Sequence, residues 1–108
     1  MFASTIYNGT DASISTPEAA LTTKNSVIGL CTVECSGAGT NLPKVIIQGK
    51  FNKSTDLEID SGWVDIVTFT DVDVDSVVGK GIGIFTYMRA VISNNIDNKR
   101  ITVTIGYN

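Results

Sequence analysis

The chain has 108 residues, eight Lys and Arg against eleven Asp and Glu, a formal net charge of -3 and no histidine. That length makes one domain with a single two-layer core. The charge excludes the basic footprint of a nucleic-acid binder, the missing histidine removes the usual general base and commonest metal ligand, and no apolar run reaches the roughly 18 residues of a membrane span.

The first residues, Met1-Phe2-Ala3-Ser4-Thr5, have neither a basic start nor an apolar core. No signal peptide is therefore expected, and synthesis in the cytoplasm is. Phe2 to Tyr7 reads as a short strand, and Asn8-Gly9 as a hairpin-type turn. Thr10 to Thr23 is rich in Ser, Thr and Ala. Within it Pro17-Glu18-Ala19-Ala20-Leu21 predicts one helical turn, with Thr16 as N-cap and Pro17 at the first position. Residues 1–23 are set apart as an N-terminal arm or edge strand, and residues 24–108 as the main domain. The arm carries Phe2, Ile6, Tyr7, Ile14 and Leu21 as isolated apolar anchors. Phe2, Ile6 and Tyr7 are candidate partner-binding residues that would add a strand or fill pockets on a neighbour.

Ser26 to Ser36 is the next strand. Cys31 and Cys35 share one of its faces about 13 Å apart, beyond the roughly 7 Å reach of a disulfide, so two free, buried thiols are expected. Gly37 to Asn41 is a loop, Val45 to Asn52 a strand, Lys53 to Ser61 a polar connection ending at Gly62, and Trp63 to Thr70 another strand. Asp71 to Gly81 alternates acid and valine and ends in Gly79-Lys80-Gly81. The longest strand-like run, Ile82 to Ser93, is apolar on both alternations. It is expected to lie centrally and to be covered on both sides. Asn94 to Lys99 reads as a polar hairpin loop around Ile96. Arg100 to Tyr107 closes with Ile101, Val103, Ile105 and Tyr107 on one alternation.

Many short strands and almost no helix predict an all-β fold. An antiparallel β-sandwich of jelly-roll or Greek-key type is expected, with the last three strands antiparallel. Trp63, Phe85, Val91, Ile101, Val103 and Ile105 are the expected core.

The chemistry-bearing patterns are few. Asp71, Asp73 and Asp75 have calcium-loop spacing but lack its glycine and its later bidentate Glu, so no metal is expected. Ser and Thr abound without a histidine to activate them, and Gly79 to Gly83 lacks phosphate-loop order. No enzyme activity and no cofactor are expected. Trp63 and Asp65 share a strand face, as do Tyr87 and Arg89. If their strands meet, Arg89 pairs with Asp65 and stacks on an aromatic ring, as a structural ion pair or as a sugar subsite. Arg89→Met is then tolerated better than Asp65→Ala.

Four segments carry a resemblance: Val45 to Asn52, Gly62-Trp63-Val64-Asp65-Ile66, Phe85-Thr86-Tyr87-Met88-Arg89-Ala90-Val91, and Ile101 to Tyr107. Over the last two-thirds of the chain this order resembles small virion proteins of tailed bacteriophages. Ile66 stands where that pattern often has Leu, and Ala90-Val91 follow Arg89 directly. The resemblance implies a capsid decoration (cement) protein on the virion surface, made in the host cytoplasm. Its implied partners are the major capsid protein and further copies of itself, as a trimer or dimer, with no nucleic acid and no membrane. A glycan-binding module of a phage fibre or tail is the alternative, since some carbohydrate-binding sandwiches share the pattern.

Overall fold

Strict alternation along the chain becomes two sheets packed face to face. The computed structural model describes residues 2–20, 26–50, 62–73, 77–80 and 84–108. Its strands are β1 (Phe2–Gly9), β2 (Ile14–Ser15), β3 (Ala19–Ala20), β4 (Ser26–Ser36), β5 (Lys44–Lys50), β6 (Val64–Phe69), β7 (Val77–Lys80), β8 (Ile84–Phe85), β9 (Tyr87–Ser93) and β10 (Arg100–Tyr107). No helix occurs among the described residues, and every strand pairing is antiparallel. Leu21, Phe51, Asp75, Gly81, Ile82 and Gly83 lie outside the described residues.

One sheet has the order β1-β10-β4-β7, with β8 also on β4. The other has the order β2-β9-β5-β6, with β3 also on β9. The pairs β2/β3 and β8/β9 each behave as one interrupted strand. Counted so, the first, eighth, third and sixth strands face the second, seventh, fourth and fifth, which is the strand order of a jelly roll.

The core is the sum of the two inner alternations. Cys31, Val33 and Cys35 of β4 and Ile101, Val103, Ile105 and Tyr107 of β10 meet Val45 and Ile47 of β5, Phe69 of β6, and Met88, Ala90 and Ile92 of β9. Burying each larger aliphatic side chain contributes about 1.5–3 kcal/mol. The two cysteines are buried and not bridged to each other, as their spacing requires. Phe85, Ile101, Val103 and Ile105 are core residues as expected, whereas Trp63 and Val91 are only half-buried.

Two of the outermost strands, β1 and β6, carry a bulge. Ile6 is the extra residue between the pairs Thr5–Thr104 and Tyr7–Val103, and Ile66 is the extra residue between Ile47–Val67 and Gln48–Asp65. Each bulge brings two consecutive apolar residues, Ile6 with Tyr7 and Ile66 with Val67, against the core. It also adds local twist, which makes an edge a poor template for further pairing.

Several expectations are corrected. Asn8-Gly9 is not a turn; both residues belong to β1, opposite Thr102 and Ile101. Gly9 makes room, because a Cβ there would lie 2.7 Å from the Tyr7 hydroxyl. That hydroxyl donates to the Asp11 carboxylate at 2.8 Å and accepts the Asp11 N–H at 3.0 Å. Thr16 to Ala20 is not helical but runs beside β9. The register slips by one residue between Ser15–Val91 and Ala19–Met88, around Pro17, which has no amide hydrogen to pair. Thr16 closes the gap: its N–H donates to Ala90 O and its Oγ1 accepts the Ala90 N–H, both at 2.9 Å.

The run from Ile82 is not one strand. It bends at Thr86, passing from β8 beside β4 in one sheet to β9 in the other. β9 is central, with β2/β3 on one side and β5 on the other. Only its Met88, Ala90 and Ile92 face is sealed; Tyr87 and Val91 on the other face are half-buried. The last three long strands, β6, β9 and β10, do not pair with one another. Asn94 to Lys99 is therefore a bridge between sheets and not a hairpin.

Candidate functional site

The outer face of the second sheet collects the polar residues of three strands. β5 carries Lys44, Gln48 and Lys50 on its outward alternation and is apolar elsewhere. Its register sets Gln48 between Arg89 of β9 and Asp65 of β6, and sets Lys50 beside Tyr87. Arg89 Nε donates to Gln48 Oε1 at 2.7 Å, and Gln48 Nε2 donates to Asp65 Oδ1 at 2.7 Å. The Arg89 guanidinium lies 4.5 Å from the Trp63 ring centroid, and Lys50 Nζ lies 5.4 Å from it. Arg89 and Lys50 are both buried, while Asp65 is exposed.

Two glycines shape this region. Gly62 has φ +77°, which glycine adopts freely, and a Cβ there would come within 3.2 Å of Lys50 Cε. Gly49 faces the core, and its missing side chain admits the Phe85 ring, which a Cβ would approach to 2.5 Å.

The structure brings Trp63, Asp65 and Arg89 together, but not in the expected pairing. Asp65 does not meet Arg89 directly; Gln48 relays between them. β5 lies between β6 and β9, so the two residues are two strand spacings apart, roughly 10 Å. The ring over the guanidinium belongs to Trp63; Tyr87 is half-buried on the same face of β9. Gln48 and Lys50 were missed from the sequence. Their signal is that, with Lys44, they are the polar members of β5 and share one alternation.

The relay places the expected sensitivity at Gln48. Gln48→Leu removes the acceptor of the buried Arg89 Nε and is expected to cost about 1–3 kcal/mol. Asp65→Ala removes an exposed partner and is expected to cost below about 1 kcal/mol. Urea melts of the two variants check this order.

The candidate partner-binding residues separate. Phe2 is 46 % exposed and stacks on Tyr107, with centroids 5.6 Å apart and planes at 28°. Ile6 and Tyr7 pack against the domain's own core. The segment from Phe2 to Gly9 is an outer strand of the sheet that contains β10.

A second polar cluster sits where the chain crosses between sheets. Asn95 is 1 % exposed. Its Nδ2 donates to Asp11 O at 3.0 Å and Lys99 O at 2.9 Å, its Oδ1 accepts the Lys99 N–H at 3.0 Å, and its own N–H reaches Ala12 O at 3.1 Å. Asn98 Nδ2 donates to Thr10 O and Asn94 Nδ2 to Leu42 O. Asn94 and Asn98 have φ of 60° and 49°, a region asparagine tolerates. The loop from Asn94 to Lys99 thus pins both the crossing after β1 and the loop before β5.

Asp97 completes that loop. It accepts the Asn41 N–H at 2.8 Å and Asn41 Nδ2 at 3.2 Å. These two bonds, the backbone one foremost, hold its carboxyl below the ordinary carboxylate value. A lowered folded-state value stabilises the fold above the unfolded value and is lost as pH falls through the folded one. The Asp97 contribution is therefore expected to be complete above about pH 4 and to vanish on further acidification. Asp97→Asn should flatten that part of the stability curve, and NMR titration of the Asn41 amide should follow the same midpoint.

Among the described residues, no three His, Cys, Asp or Glu side chains converge as a metal site. The chain matches no protein-family model, no curated protein and no solved structure.

Proposed function

We propose that this chain is a structural protein of a tailed-bacteriophage virion, a decoration (cement) protein that binds the major capsid protein on the head surface and stabilises the shell. The strand order carries the reading. Two sheets ordered β1-β10-β4-β7 and β2-β9-β5-β6 form a jelly roll, an architecture that recurs in viral capsid and lectin domains. This is an argument by analogy of fold, added to the segment order that resembles small virion proteins.

The state of Trp63 favours the capsid over the lectin. A pyranose stacks on an open aromatic face. Here Arg89 and Lys50 lie over the Trp63 ring, which is half-buried. The cations and the Gln48 relay organise the sheet surface and leave little ring for a sugar.

Co-sedimentation separates the two readings. The protein is mixed with purified heads of the phage that encodes it and, separately, with cell wall of the host. Saturable binding to heads and none to cell wall is the expected result. Retention on cell-wall sugar that is abolished by Trp63→Ala, with no binding to heads, contradicts it and identifies a glycan module.

A further inference from the structure

The outer face of the first sheet points to a specific occupant. Its outward alternation carries Leu30, Thr32 and Glu34 on β4 and Gly106, Thr104, Thr102 and Arg100 on β10. β1 extends the row with Thr5, whose hydroxyl lies 3.4 Å from that of Thr104. Leu30 is 43 % exposed on this surface. Directly across the ladder from it is Gly106, which has no side chain. A knob and a hollow thus sit at the same height on neighbouring strands.

The geometry points to a two-fold dimer of this chain through that face, with the axis parallel to the strands and between β4 and β10. Rotation about that axis lays β10 of one copy over β4 of the other at unchanged height. Each β4 residue then meets the residue that is its own cross-strand partner. Leu30 enters the hollow over Gly106 of the second copy, and Thr32 meets Thr104 of the second copy. Glu34 meets Thr102 there, with Arg100 one alternation further along. Every contact occurs twice, as an isologous interface requires.

The charges agree with this occupant. Within one copy Arg100 donates to Asn8 Oδ1 at 2.9 Å, and the exposed Glu34 carboxylate takes no ion pair among the described residues. Across the axis Glu34 and Arg100 come within reach of each other twice, once on each side of the axis at the same end of the face. Three strands of about seven residues and β7 of four, at about 4.8 Å by 3.4 Å per residue, give roughly 400 Å² per copy, about 800 Å² in total. That is the small end of specific interfaces, so the dimer is weak in dilute solution and suits a crowded surface on which copies sit side by side. The inference rests on the face itself and holds whatever the protein attaches to.

Sedimentation equilibrium up to roughly millimolar protein tests it. A monomer–dimer equilibrium is expected. Leu30→Lys, at an exposed position, should raise the dissociation constant at least tenfold and leave the melting temperature unchanged. Glu34→Arg and Arg100→Glu should each weaken the dimer, and the double variant should restore it, which a loss of folding cannot mimic. A monomer at every concentration overturns the proposal. So does a dimer indifferent to Leu30→Lys, or a double variant no better than the singles.

Discussion

Val103→Asp is expected to abolish the folded state. Val103 is fully buried, and its strand β10 is paired on both sides, with Tyr7 and with Val33. Among the described residues, the inner alternations of β4, β5 and β9 offer a carboxylate there no cation and no donor stronger than the weak Cys31 and Cys35 thiols. It must either remain charged in hydrocarbon or take up a proton and stay unpaired. Either state costs several kcal/mol beyond the lost packing, comparable to the roughly 5–15 kcal/mol that holds a domain together. Circular dichroism should show no cooperative melt at any temperature. The neighbouring Thr102→Asp, on the outer alternation, should fold and melt cooperatively. A near-wild-type melt for Val103→Asp would refute the inward assignment of that alternation.

Asn95→Ala is expected to cause the largest loss of any polar substitution. It removes three side-chain hydrogen bonds and strands the Asp11 carbonyl and both backbone groups of Lys99 that Asn95 satisfies. The expected cost is about 2–4 kcal/mol, because buried groups left unpaired carry their full desolvation penalty. For a domain of this size that lowers the melting temperature by roughly 10–25 °C. Asn94→Ala, whose side chain makes one long bond at an exposed position, should cost far less. Equal losses at the two positions would mean that Asn95 does not act as the clasp between the sheets.

The core was legible because burial writes itself into a period of two. Ile101, Val103, Ile105 and Tyr107 alternate without exception, and Cys31, Val33 and Cys35 mirror them across the ladder. What was misread had more than one physical meaning. Thr16 before Pro17 has the chemistry of a helix cap, a hydroxyl that accepts an N–H. The same hydroxyl accepts the Ala90 N–H across strands instead. Asn8-Gly9 has turn chemistry, but Gly9 is small because the Tyr7 ring folds back over it. Five polar residues and Ile96 between β9 and β10 suit a hairpin or a crossing equally, and the distant Thr10, Asp11, Ala12 and Leu42 carbonyls decide for the crossing. The Arg89 partner was sought among carboxylates because an arginine in an apolar run demands an acceptor. The amide of Gln48 supplies it, since β5 stands between Arg89 and Asp65.

The most direct test of a cement role is the heat resistance of the heads themselves. Heads lacking the protein are purified, the full chain is added back, and DNA release is followed on heating. The account predicts that the release temperature rises with added protein and saturates when the surface sites are filled. Heads that take up the protein to saturation and still release DNA at the unreinforced temperature would contradict it.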